Sequence, residues 1–215
     1  MTVLSTKTIE NFSHYSQLDP QWGFAIGTER SMCGLVCVKS ILDYYSHKSG
    51  FETPYISTLL AMVDAAHDIK QNGISHAVEV AIFKAHGLTA WRRNWEAPSS
   101  DSSWLVQNEH YSNQQVEAVD TQQLHEQTFD SIRERQLVSI NEALANENPI
   151  IASMKAGFGG NSGDHQVVIV GKEQNEEGEA FVIMDPEHIP GSTLHIEPIE
   201  RFFHYFNNRA IFTKQ

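Results

Sequence analysis

Cys33 opens the run Cys33-Gly34-Leu35-Val36-Cys37, after which apolar residues recur at helical spacing through Val38, Ile41, Leu42 and Tyr45. A thiol in the first turn of a helix faces unpaired backbone N–H groups and the positive end of the helix dipole, and both favour a thiolate. Gly34 beside it would let a substrate approach the backbone closely. A free cysteine is more often a small buried filler, so Cys33 has to be read with the groups that would activate it. Cys37, one turn further in, is expected to face the core.

A nucleophilic thiol needs a base within hydrogen-bond reach. The chain has 11 histidines. His47, His67, His76, His86, His110 and His125 fall on helix faces or in polar loops and read as surface residues. His165 is different: it follows the glycine-rich stretch from Gly157 to Gly163 and immediately precedes Gln166 to Val170, an apolar run that reads as a strand. A residue at such a junction is held by the strand ladder yet open to a cleft. Asp185 ends the next strand candidate, in Val182-Ile183-Met184-Asp185-Pro186. If the two strands pair antiparallel, the start of one adjoins the end of the other. A carboxylate there can accept the imidazole N–H and fix its tautomer. Asp185-Pro186 is also an ordinary turn signal. For the oxyanion of an acyl transfer, the candidate donors are the Cys33 backbone N–H and the side-chain amide of Gln17, in Tyr15-Ser16-Gln17-Leu18-Asp19.

The elements that must position these groups change character along the chain. Residues 11–30 read as an irregular lead-in. A first helix runs from about Met32 to Gly50, a second from Thr53-Pro54 to about His67, and a third from Ser75 to Gly87. Leu88 to Trp91 reads as a short strand. Residues 94–130 are polar and read as a surface insertion with a loose helix at its end. Ser139 to Ala145 reads as helix, stopped by Asn148-Pro149. Beyond it, Ile150 to Met154, Gln166 to Val170 and Ala180 to Met184 are strand candidates. Thr193 to Ile196 and Ala210 to Phe212 add two more around a short helix from Pro198 to Tyr205. Helices first and strands later predict an α+β fold, with a helical layer on an antiparallel sheet.

The totals limit the function classes. The chain has 215 residues and suits one domain, 1–215, carrying the insertion. A net charge of -12 makes nucleic acid a poor partner. The two cysteines, four apart on one helix, do not suit a disulfide, so a reducing compartment fits. No secretory h-region and no apolar run of membrane-spanning length is present. A cytoplasmic protein without a membrane partner is the expectation. No zinc-like pair of ligand pairs occurs, so neither metal nor cofactor is expected.

Five segments together carry a resemblance: Gln17-Leu18-Asp19-Pro20-Gln21-Trp22; Cys33-Gly34-Leu35-Val36-Cys37 leading into Ile41-Leu42-Asp43-Tyr44-Tyr45; Asn148-Pro149-Ile150-Ile151-Ala152-Ser153; Asp164-His165-Gln166-Val167-Val168-Ile169-Val170-Gly171; and Ile183-Met184-Asp185-Pro186. In this order the chain resembles the papain-like peptidases that remove double-glycine leader peptides from bacteriocins, and especially their stand-alone relatives. The resemblance implies a papain-like fold with Cys33 as nucleophile, His165 as base, Asp185 as orienter and Gln17 as oxyanion donor. The chain departs from the family in the 94–130 insertion, in Met32 before the nucleophile and in Leu35 after it; these departures touch substrate preference more than chemistry.

The function that follows is a cysteine-dependent hydrolase acting on a peptide or small amide through an acyl-enzyme. Two alternatives stay open. An acyltransferase or transglutaminase-like enzyme would use the same triad and pass the acyl group to an amine. A non-catalytic peptide-binding module would keep the fold and dispense with Cys33. Exclusion of water around the acyl-enzyme would favour transfer, and Trp91, Trp95 and Trp104 could form such a wall, although loop or core anchoring is the simpler reading of them.

Overall fold

A computed structural model of the chain describes residues 3–22, 32–65, 74–95, 129–160, 163–176, 178–187 and 194–215. The central element is helix α1 (Cys33–Ser49). Its first three turns are buried nearly all round, with Leu35, Val36, Val38, Ile41 and Leu42 fully enclosed. Each such side chain contributes about 1.5–3 kcal/mol relative to exposure. The helix stops at Gly50, whose φ of 74° is left-handed and whose N–H returns to the Ser46 carbonyl. Helix α2 (Ile56–Ala65) starts later than Thr53-Pro54 foretold, because Tyr55 takes the position whose carbonyl accepts the first helical N–H groups. Its expected end at His67 lies outside the described residues. Helix α3 (His76–Ala85) is capped by Ser75, which accepts from the Val78 N–H, and is followed by Gly87 in a left-handed conformation.

The sheet has seven strands: β1 (Val3–Thr8), β2 (Thr89–Asn94), β3 (Ile150–Met154), β4 (His165–Asn175), β5 (Gly178–Met184), β6 (His195–Pro198) and β7 (Phe206–Lys214). All pairings are antiparallel, in the order β2-β7-β3-β4-β5-β6, and β1 pairs with the outer half of β4. Helix α4 (Phe129–Ala145) and the short helix α5 (Ile199–Tyr205) complete the described elements. Helices α1 and α3 come first and pack on the sheet that follows, so the α+β expectation holds.

Three differences from the sequence reading have physical causes. Strand β4 starts at His165 itself and runs on to Asn175, because its polar outer half is held on both sides by β1 and β5 even where apolar alternation has ended. Strand β7 likewise extends both ways from Ala210–Phe212, pairing with β2 and β3. The helix expected over Ser139–Ala145 begins at Phe129, so the last residues of the polar segment are its first turn. Residues 96–128 of that segment, including Trp104, His110 and His125, lie outside the described residues, as does His67. No helix among the described residues is long and apolar enough to cross a membrane.

Candidate active site

Pairing of β4 with β5 sets Val168 opposite Met184 and Ile169 opposite Ile183. The start of β4 therefore adjoins the end of β5, as the antiparallel expectation required. His165 Nε2 lies 2.6 Å from Asp185 Oδ1, with both side chains 3% exposed. A further contact orients the carboxylate: Asp185 Oδ1 also accepts the Glu187 backbone N–H at 2.9 Å. With Nε2 directed to the carboxylate, Nδ1 is the ring nitrogen left for the thiol, and Cys33 lies near enough to act on the proton affinity of the imidazole. Burial alone disfavours the imidazolium. The hydrogen bonds and charges of Asp185 and Cys33 outweigh it and raise the His165 pKa to about 10.

Cys33 is the first residue of α1. Met32 precedes it, and its carbonyl accepts the Val36 N–H, so the N–H groups of Cys33 to Leu35 have no partner within the helix. Cys37 is fully buried, and its thiol points to the Gln166 carbonyl at 3.6 Å. Burial, reinforced by the charges of Cys33, Glu79 and Asp185, pushes its pKa well up. Cys37 is therefore an inert core thiol, as expected.

Gly34 has a different reason from the one read in the sequence. A Cβ there would stand 2.5 Å from Gln166 Oε1 and would also collide with the Glu79 carboxylate. The absent side chain makes room for Glu79 and Gln166, which pack α1 against α3 and β4, rather than for a substrate alone.

Gln17 is 1% exposed, and its backbone N–H donates to the Pro186 carbonyl at 2.7 Å. This ties the lead-in to the Asp185-Pro186 corner. Neither atom of its side-chain amide has a hydrogen-bond partner. An unsatisfied buried amide is costly, and a ligand oxygen is one way to satisfy its donor. Gln17 does not line the cleft described next.

That cleft, of about 250 Å³, is lined by Cys33 and His165 together with His76, Arg92, Ser153 and Arg209, among others. His76 was grouped in the sequence with surface histidines, and the structure corrects this. It is 9% exposed, and its Nε2 lies 2.7 Å from Ser153 Oγ. Burial first, then the positive charges of Arg92 and Arg209, lower its pKa to about 3. The available signal was its place just after Ser75 at a helix start. Of the tryptophans considered as a wall, Trp91 stacks on Phe212, and Trp95 is buried against Phe206 and Phe212. Both serve as packing.

Among solved structures, a C39-like peptidase from Bacillus anthracis superposes with a TM-score of 0.53 at 13% identity, covering 98% of each chain. The peptidase domain of Streptococcus ComA, a bi-functional ABC transporter of a quorum-sensing pathway, gives 0.49 at 17% identity, covering 94% of this chain and 98% of its own. The double-glycine motif protease of an AMS/PCAT transporter, solved with a leader peptide, gives 0.43 at 16% identity, covering 85% and 84%. No curated protein sequence matches significantly. The likeness to the Bacillus structure is one of fold, α helices first and then the antiparallel sheet of a papain-like C39 peptidase. The profile of the Peptidase_C39-like family matches residues 9–209, and the chain belongs to that family.

Proposed function

We propose that this member of a cysteine peptidase family is an active hydrolase of peptide or amide bonds, with Cys33 as nucleophile, His165 as acid and base, Asp185 as its orienting group and Gln17 as an oxyanion donor. The observation that carries the reading is one buried imidazole held by a carboxylate at 2.6 Å, in a cleft whose lining it shares with Cys33. The His165 pKa of about 10 favours the imidazolium at neutral pH, the protonation state that accompanies a thiolate.

In the mechanism, the Cys33 Sγ electron pair forms a bond to the carbonyl carbon, and the π pair moves onto oxygen. The oxyanion is held by the Cys33 N–H at the start of α1 and by the Gln17 amide. As the tetrahedral species collapses, the C–N bond breaks and His165 Nδ1–H protonates the leaving amine. Water then attacks the thioester, His165 takes its proton, and the second collapse expels Cys33 sulfur, which recovers the paired state. Throughout, Asp185 holds Nε2–H and thereby keeps Nδ1 directed at the reacting atoms.

The test is alkylation by iodoacetamide from pH 5 to 9, followed by intact mass, for wild type, Cys33→Ala and His165→Ala. One fast adduct at acidic pH is expected, absent in Cys33→Ala and slowed in His165→Ala. Reaction at alkaline pH only, at the rate of an ordinary thiol, would leave a peptide-binding module as the reading.

A further inference from the structure

Part of the cleft lining is built from charged and polar groups that the mechanism does not use. Strand register places them on one sheet face. Arg92 is opposite Ile211, and Arg209 is opposite Asn94, so the two arginines are diagonal neighbours across β2 and β7. Ile211 is opposite Ile151 on β3, two residues from Ser153, which is itself opposite Gln166 on β4. Arg92, Arg209, Ser153 and Gln166 thus share a face, and all of them line the cleft. The N-terminus of α3 meets the same space through Ile74, Ser75 and His76.

We propose that this wall, Arg92 and Arg209 with His76 and Ser153, is a specificity pocket for a carboxylate carried by the substrate beside the scissile bond. The inference rests on the catalytic reading of Cys33 above and names the substrate class of that site. Guanidinium groups pair with carboxylates through directed, charge-assisted hydrogen bonds. Asp164 is the one carboxylate among the described residues lining the cleft, against two arginines. Buried His76 Nδ1 has no hydrogen-bond partner, and His76 lines the cleft. Burial first, and then the positive charges of Arg92 and Arg209, lower the His76 pKa, in keeping with both arginines standing near it. The chain as a whole is strongly acidic, with a net charge of -12. An anion is therefore not drawn in from a distance, and its selection depends on this local pair. At about 250 Å³ the cleft accommodates a side chain rather than a large cofactor.

The experiment compares two isosteric alkylating probes, N-iodoacetyl-glutamate α-amide and N-iodoacetyl-glutamine α-amide, on wild type, Arg92→Gln and Arg209→Gln. Each rate is divided by that protein's iodoacetamide rate, and circular dichroism checks the fold. The wild type is expected to react at least about tenfold faster with the glutamate probe, the worth of one charge-assisted hydrogen bond. That preference should fall towards unity in either variant. Equal normalised rates for both probes in wild type, or a preference that survives in both folded variants, overturns the pocket. The wild-type ratio stands even if a variant fails to fold. Ordinary-thiol reactivity towards iodoacetamide itself would instead overturn the catalytic reading, and this pocket with it.

Discussion

Asp185 sets the charge state of the proposed site. His165 is 3% exposed, and burial alone would strip its proton; the neighbouring carboxylate and thiol reverse that and hold the pKa near 10. Asp185→Asn keeps a hydrogen-bond acceptor but removes the charge. The imidazole midpoint, followed by NMR, should fall by more than about one unit. Hydrolysis of a cleavable peptide should fall by about 10²-fold or more. An unmoved midpoint would mean that Asp185 only closes a turn. Cys33, His165 and Asp185 were legible in the sequence because each stands where an element begins or ends, with a glycine or proline within two residues. His76, Arg92 and Arg209 were not. Their meaning comes from the register of β2 against β7 and from the placing of α3, which no local pattern encodes. Gln17 was a weak signal in the sequence until the resemblance singled it out; its buried, unpartnered amide is a fact of packing.

At the scale of elements, two glycines fix how layers meet. Gly171 lets β1 lie on β4: a Cβ there would stand 2.5 Å from the Lys7 carbonyl oxygen and 2.7 Å from Thr8 Cα. This explains why β1 escaped the sequence reading. Val3–Thr8 carries little apolar pattern of its own, and its strand depends on a close approach permitted 160-odd residues away, at Gly171. Helix α1 was legible because its apolar residues recur at helical spacing, whereas its seat on β4 depends on Gly34. In Gly34→Ala the new methyl meets Glu79 and Gln166, both held between α1, α3 and β4. Something must shift, and with both side chains so held the expectation is that the helix start gives way, carrying Cys33 away from His165. Chemical denaturation should show a loss of about 1–3 kcal/mol, together with slower alkylation of Cys33. Wild-type stability with wild-type alkylation would show that the two side chains swing aside freely.

For the molecule as a whole, the two cleft imidazoles act on stability from opposite sides of neutrality. His76 has its folded pKa depressed to about 3, below the ordinary value of 6.5. The unfolded chain therefore binds its proton first as pH falls. The stability due to neutral, buried His76 is complete above about pH 6.5 and is lost as pH falls towards 3, by on the order of a few kcal/mol. His165 has its folded pKa raised to about 10. Its contribution is complete below about pH 6.5 and is lost as pH rises through 10. Self-repulsion from a net charge of -12 at pH 7 adds to the alkaline loss in every variant. The histidine terms must therefore be read as differences between curves. Thermal midpoints of wild type, His76→Gln and His165→Gln, taken from pH 4 to 10, should show this. The wild-type advantage over His76→Gln should shrink on the acid side alone, and that over His165→Gln on the alkaline side alone. Variant curves running parallel to wild type across the whole range would show that neither imidazole changes its proton affinity on folding, and the electrostatic account of the cleft would fall with them.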